Sequence, residues 1–158
     1  MSYVDSNLLT GETVMYRTRL HWRLYLPPVL LTLLVMVPVA VLLVVKQYAL
    51  WAILPAAVGA ALVLAAHLRR GSSEFAVTNK RVVIKLGVMS TRSLELLLTK
   101  VEGIAVNQGL WGKMLGFGDI VVTGSGGTRE SFSNIQDPLG FRRAIQEATD
   151  ARDRSANG

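Results

Sequence analysis

From Leu24 to Leu68 the chain carries one charged side chain, Lys46, in 45 residues. No other feature restricts the fold so strongly. Lys46 divides the stretch into two uncharged runs of 22, LYLPPVLLTLLVMVPVAVLLVV (24–45) and QYALWAILPAAVGAALVLAAHL (47–68). As a helix each run reaches about 33 Å, enough for a hydrocarbon core of about 30 Å. In lipid such a run is stable only as a helix, because hydrocarbon offers backbone N–H and C=O groups no partners. Pro38, Pro55 and Gly59 are better tolerated in that setting than in a soluble helix. Trp22, Tyr25, Tyr48 and Trp51 fall near the interfaces, where amphipathic rings collect. A soluble layer able to cover both runs is too large for a chain of 158 residues. A cleaved signal peptide fits poorly, since the first run is long, starts 23 residues in and lacks a small-residue cleavage site. The stretch predicts a two-helix transmembrane hairpin.

The overall charge content of 18% is low only because of this block; the other 113 residues carry 27 of the 28 charged side chains. Arg17, Arg19 and Arg23 precede the first run, Arg69 and Arg70 follow the second, and the connector holds Lys46 alone. The positive-inside rule then places both termini in the cytoplasm and the connector outside. His67, the penultimate residue of the second run, is expected to snorkel to the interface rather than to relay protons. The expected organisation is a cytoplasmic N-terminal segment (1–23), the hairpin (24–68) and a cytoplasmic domain (69–158).

From Ser73 onward the pattern changes to short β-rich runs punctuated by turn residues. Strands are predicted at Glu74–Thr78, Arg81–Leu86, 91–98, Val101–Asn107, 119–123 and 129–133. In RVVIKL, Val82, Ile84 and Leu86 share one face and Arg81 and Lys85 the other. Closely spaced antiparallel strands of this kind predict a meander curling into a barrel or sandwich. Between the fourth and fifth strands lies QGLWGKMLGFG, whose glycines limit it to a short helical turn. Leu110, Trp111, Met114 and Leu115 are expected to plug one end of the barrel, the alternative being a membrane-dipping tip beside Lys113. Asp137 as N-cap and Pro138 at the first helical position open a helix running to about Arg152. Phe141, Ile145 and Ala148 form its apolar face, with Arg142, Arg143, Glu147 and Asp150 off it.

A strand meander closed by one C-terminal amphipathic helix is the outline of a pleckstrin-homology (PH) fold. The chain resembles bacterial PH-domain membrane proteins of the YdbS-like type. The resemblance runs through Leu9-Thr10-Gly11-Glu12 and Tyr16-Arg17, His21-Trp22, the two apolar runs, and Glu74-Phe75-Ala76-Val77-Thr78-Asn79-Lys80-Arg81. It continues in Lys85-Leu86-Gly87, the 94–106 region, Leu110-Trp111-Gly112, Leu115-Gly116-Phe117-Gly118, Gly124 to Gly127, and Asn134-Ile135-Gln136-Asp137-Pro138. What it implies is a PH-like barrel closed by a C-terminal amphipathic helix on the cytoplasmic side of a bacterial plasma membrane, without enzymatic activity. Phosphoinositide binding is not implied, since fold does not carry function with it.

Reaction chemistry is hard to place in these residues. The chain has no cysteine, which excludes disulfides, thiolate metal sites and cysteine nucleophiles. Its two histidines, His21 and His67, both adjoin the apolar runs, and no H-E-x-x-H, P-loop or dinucleotide fingerprint occurs. No catalytic, metal or cofactor-binding residue is assigned. A formal charge of +6 invites nucleic acid, but no basic stripe is interleaved with aromatics, and membrane topology accounts for the cations. The expected function is a membrane-anchored module that binds a membrane-protein partner or itself, with Ala56, Ala57, Gly59, Ala60 and Ala61 permitting close helix contact. The alternative is recognition of anionic lipid headgroups, for which the candidate contacts are Arg69, Arg70, Lys80, Arg81 and Lys85.

Overall fold

A computed structural model describes residues 3–44, 53–87 and 92–156. They divide into two compact units, one of the chain through His21 together with the chain from Ser72 onward, the other Trp22–Gly71. In chain order the helices are α1 (Tyr3–Ser6), α2 (Leu26–Val44), α3 (Ile53–Gly71), α4 (Leu110–Leu115) and α5 (Pro138–Ala156). The strands are β1 (Val14–Thr18), β2 (Glu74–Thr78), β3 (Arg81–Leu86), β4 (Arg92–Leu97), β5 (Val101–Asn107), β6 (Phe117–Gly124) and β7 (Arg129–Gln136). Lys46, Tyr48 and Trp51, expected in and beside the connector, lie outside the described residues, as does Thr91 at the start of the expected third strand.

In the strand-bearing unit, β2, β3 and β5 have the predicted bounds. The expected closed barrel does not form: the strands make two antiparallel sheets, ordered β1-β2-β3-β4 and β5-β6-β7. The ladder breaks at the 3-10 turn Leu98–Lys100, where Leu98 leaves the strand to be buried. Among the described residues one isolated bridge, Leu20 to Ile135, joins the N-terminal segment to β7.

The first strand of this unit was not legible in the sequence. VMYRT is short and only half-buried, and its partner is about 60 residues away. Asn79 and Thr78 hold it there. The Thr78 hydroxyl accepts the N–H groups of Lys80 and Arg81 at 3.2 and 3.0 Å and donates to Glu12 at 2.8 Å. Asn79 reaches across to the N-terminal segment: its side chain accepts from Thr13 N–H and donates to the Gly11 carbonyl, both at 3.0 Å.

The core lies between the sheets and α5. Phe75 meets Phe132 and Phe141 edge-on, with centroids 6.1 and 6.3 Å apart, the arrangement favoured by the ring quadrupoles. Phe141, Ile145 and Ala148 are buried, as their spacing predicts. Both faces of β2 are covered, because Val4 of α1 packs on Ala76 and Val83 on the outer side. The Glu74 carboxylate accepts the Tyr3 and Val4 N–H groups at 3.1 Å each, satisfying two orphan donors of α1. Asp137 caps α5 through the Gly140 N–H at 3.0 Å.

In the other unit, α2 and α3 pack as a hairpin after a 3-10 turn at Trp22–Tyr25. Gly59 is the tight point, where an added Cβ would lie 2.4 Å from Thr32 Cγ2. Most side chains of both helices face outward. None of the most apolar 18-residue window of the first helix is buried, and 11% of that of the second.

Candidate functional site

Of the five candidate cations, Arg69 and Arg70 belong to the hairpin unit and Lys80, Arg81 and Lys85 to the strand-bearing unit. Arg69 and Arg70 end α3, with the Arg70 guanidinium 5.8 Å from the Tyr25 ring centroid. The Tyr25 hydroxyl also lies 3.2 Å from His67 Nδ1. In the strand-bearing unit, Lys80 and Arg81 sit at the β2–β3 turn, whereas Lys85 pairs with Glu74 at the opposite end of that hairpin. Lys85 Nζ stands 4.4 Å from the Tyr3 ring centroid, and Lys80 Nζ donates to the Thr10 carbonyl at 2.7 Å.

Arg81 serves the fold. Its Nε and Nη2 grip Glu12 Oε1 and Oε2 at 2.9 and 3.0 Å, Nη1 bonds Glu95, and Nη2 also reaches the Asn7 carbonyl. The Glu12 side chain is fully buried and further accepts from the Thr78 hydroxyl at 2.8 Å and Leu9 N–H at 2.7 Å. Burial alone would raise the Glu12 carboxyl, but the hydrogen bonds from Arg81, Leu9 and Thr78 outweigh it and hold the group below its ordinary value. The same contacts raise Arg81 further, its bond to Glu12 outweighing burial. This clasp fastens the N-terminal segment to the β2–β3 turn. Glu12 belongs to a motif singled out in the sequence, yet its role shows only when Arg81, 69 positions on, is folded against it.

A second junction links β1 to α5. Tyr16 Oη donates to Asp137 Oδ2 at 2.7 Å, and burial together with that carboxylate pushes the phenol up to about 12. Asp137 adopts a positive φ of 48°.

The apolar tip was expected to plug a barrel, and the structure overturns that reading. Leu110 is 82% exposed, Met114 76%, Trp111 70% and Leu115 43%. The cause is local. α4 presents its glycine to the sheet: Gly112 is buried, and a Cβ on it would stand 2.6 Å from the Phe117 carbonyl oxygen. With Gly112 inward, the large side chains turn out. Gln108 Nε2 donates to that carbonyl at 3.0 Å, and Gly116, at φ 74°, closes the helix on the Gly112 carbonyl. Phe117 in turn packs on His21, ring centroids 5.2 Å apart.

A family model described as "Bacterial PH domain" matches residues 28–149. The chain belongs to the bacterial PH-domain family. In this PH-domain protein the match begins within α2 and ends within α5, so the Glu12 side of the clasp and β1 lie outside it. Among solved structures, the PH-domain chain is similar to a DUF1696-family protein with a pleckstrin-homology domain from Shewanella loihica PV-4. Identity is 9%, the match covers 92% of this chain and 89% of that one, and the TM-score is 0.46. A search of curated proteins found no match.

Proposed function

We propose that this PH-domain protein is a non-enzymatic, membrane-anchored interaction module of the YdbS-like type. In this reading α2 and α3 span a bacterial plasma membrane, both termini are cytoplasmic, and the strand-bearing unit binds a membrane-protein partner or a second copy of the chain. The observation that carries it is the outward display of apolar side chains on both long helices, with Leu34 72% and Leu54 71% exposed. The core helices of a soluble domain bury such residues; lipid is the solvent that suits them. Gly59 is taken up by Thr32 within the hairpin. Ala57 and Ala61, one turn apart and exposed, remain as a small-residue surface for a further helix.

Recognition of anionic headgroups by the five cations is the weaker reading. Lys80 and Arg81 are committed to the N-terminal segment and sit at the far end of the hairpin from Lys85. The test is an Ala57→Cys variant of the otherwise cysteine-free full chain, oxidised in native bacterial membranes. The expected result is retention through alkaline extraction and a discrete crosslinked species, as a homodimer or with one partner. Release by alkali, or a monomer under every oxidant, refutes the reading.

A further inference from the structure

We propose that α4 is an interfacial insertion tip. Leu110, Trp111, Met114 and Leu115 enter the headgroup–acyl boundary of the bilayer that holds α2 and α3, and Lys113 lies against its anionic headgroups. This inference rests on the membrane reading of the hairpin.

Position carries most of the argument. His21 is the last residue of the strand-bearing unit before the chain enters the Trp22–Tyr25 turn. Its N–H donates to the Asn134 carbonyl at 2.7 Å, and the Gln136 N–H donates to the Arg19 carbonyl at 2.9 Å. The Asp137 N–H in turn donates to the Gly116 carbonyl at 2.9 Å. These bonds, with the His21–Phe117 ring contact, build the exit segment, the end of β7 and the end of α4 into one block. Leu115 is two residues from Phe117, at most about 7 Å of chain. Ser72, where the chain returns, is three residues from Phe75, which pairs with Thr18 at this same end of β1. The tip is therefore tethered close to both passages of the chain, whatever the attitude of the unit.

Composition and rigidity agree with that position. Trp111 is the residue type that settles at membrane interfaces, and an apolar turn bearing a cation binds anionic interfaces through both terms. Lys113 is the only charged side chain between Glu102 and Asp119. The glycine contacts at Gly112 and Gly116 fix the turn in advance, so insertion requires little further ordering. A protein partner also suits exposed apolar side chains, but nothing about a partner requires the patch to lie beside the chain's exit.

The absence of native cysteine allows a direct test. The full chain carries one fluorescent label at Met114→Cys, Val35→Cys or Ser125→Cys and is reconstituted in phosphatidylethanolamine–phosphatidylglycerol vesicles. Ser125 is exposed in the β6–β7 turn, just past the far end of β6 and about 26 Å of extended chain from Phe117. Quenching is compared between aqueous iodide and nitroxides at shallow or deep lipid positions. The expected result is a Met114 label quenched mainly by the shallow nitroxide, several-fold less by iodide than the Ser125 label, with the Val35 label quenched by the deep nitroxide. A Met114 label as open to iodide as Ser125, or shielded from both quenchers by protein, overturns the proposal and leaves the hairpin reading intact. A Val35 label open to iodide overturns both.

Discussion

Helix propensity alone says that Gly140→Ala should stabilise α5 by about 1 kcal/mol. The structure reverses the sign. An alanine Cβ at this position would stand 2.0 Å from Asp137 Oδ2, 2.7 Å from its Cγ and 2.8 Å from Tyr16 Oη. Asp137 uses one oxygen to cap Gly140 N–H and the other to accept from Tyr16, so the carboxylate cannot turn without releasing one of them. A hydrogen bond to a charged group contributes about 1.5–3 kcal/mol. Set against the propensity gain of about 1 kcal/mol, its loss leaves a net destabilisation of roughly 0.5–2 kcal/mol. Hydrogen exchange of the α5 amides in the detergent-solubilised full chain reads this as faster opening. The Tyr16 phenol should also titrate below its present value of about 12 as it loses the carboxylate. In a Tyr16→Phe background the carboxylate is free to rotate, and Gly140→Ala should become neutral or stabilising. Stabilisation of the otherwise unaltered chain, or an equal cost in both backgrounds, refutes the reasoning.

Glu12→Gln breaks a buried, bidentate pair and leaves Arg81 partly uncompensated, which costs about 3–5 kcal/mol when the partner is removed outright and less for the isostere. The lowered Glu12 carboxyl contributes stability that is present above its unfolded value of about 4.3. That contribution is lost as pH falls through the folded value, so the variant should show a shallower acid-side loss in exchange protection of β2 and β3. An unchanged acid limb tells against the clasp. In the hairpin, Gly59→Leu should separate α2 from α3, since even a Cβ meets Thr32 at 2.4 Å. A spin-label distance between Val35→Cys in α2 and Leu62→Cys in α3, measured in membranes, should lengthen when Gly59→Leu is added, and an unchanged distance refutes that contact.

Short β-rich runs set off by turn residues in EFAVT, RVVIKL and VEGIAVN were enough to bound β2, β3 and β5, but the burial of both Val82 and Val83 in β3, and of Phe75 through Thr78 in β2, is not the one-faced alternation of an exposed strand. The N-cap at Asp137 and the Phe141–Ile145–Ala148 face were legible for the same local reason. α5 nevertheless continues to Ala156, past the expected end near Arg152. What failed was non-local. VMYRT becomes β1 only because Asn79 and Arg81 grip residues 7–13, and no periodicity in five residues announces that. The QGLWGKMLGFG turn was recognised, but its outward display depends on Gly112 facing Phe117.

By itself, the sequence determined the two-part character of the chain, since one charge in 45 residues is a property of composition and needs no contacts to read. It determined most strand and helix positions as well, because local periodicity and caps act within a few residues. Tertiary structure alone decided that the sheets stay separate, that Glu12 and Asp137 work as junctions, and that the apolar tip faces out. These depend on which distant groups meet. A buried carboxylate or a glycine contact acquires its energy only from a partner that the chain brings back from tens of residues away.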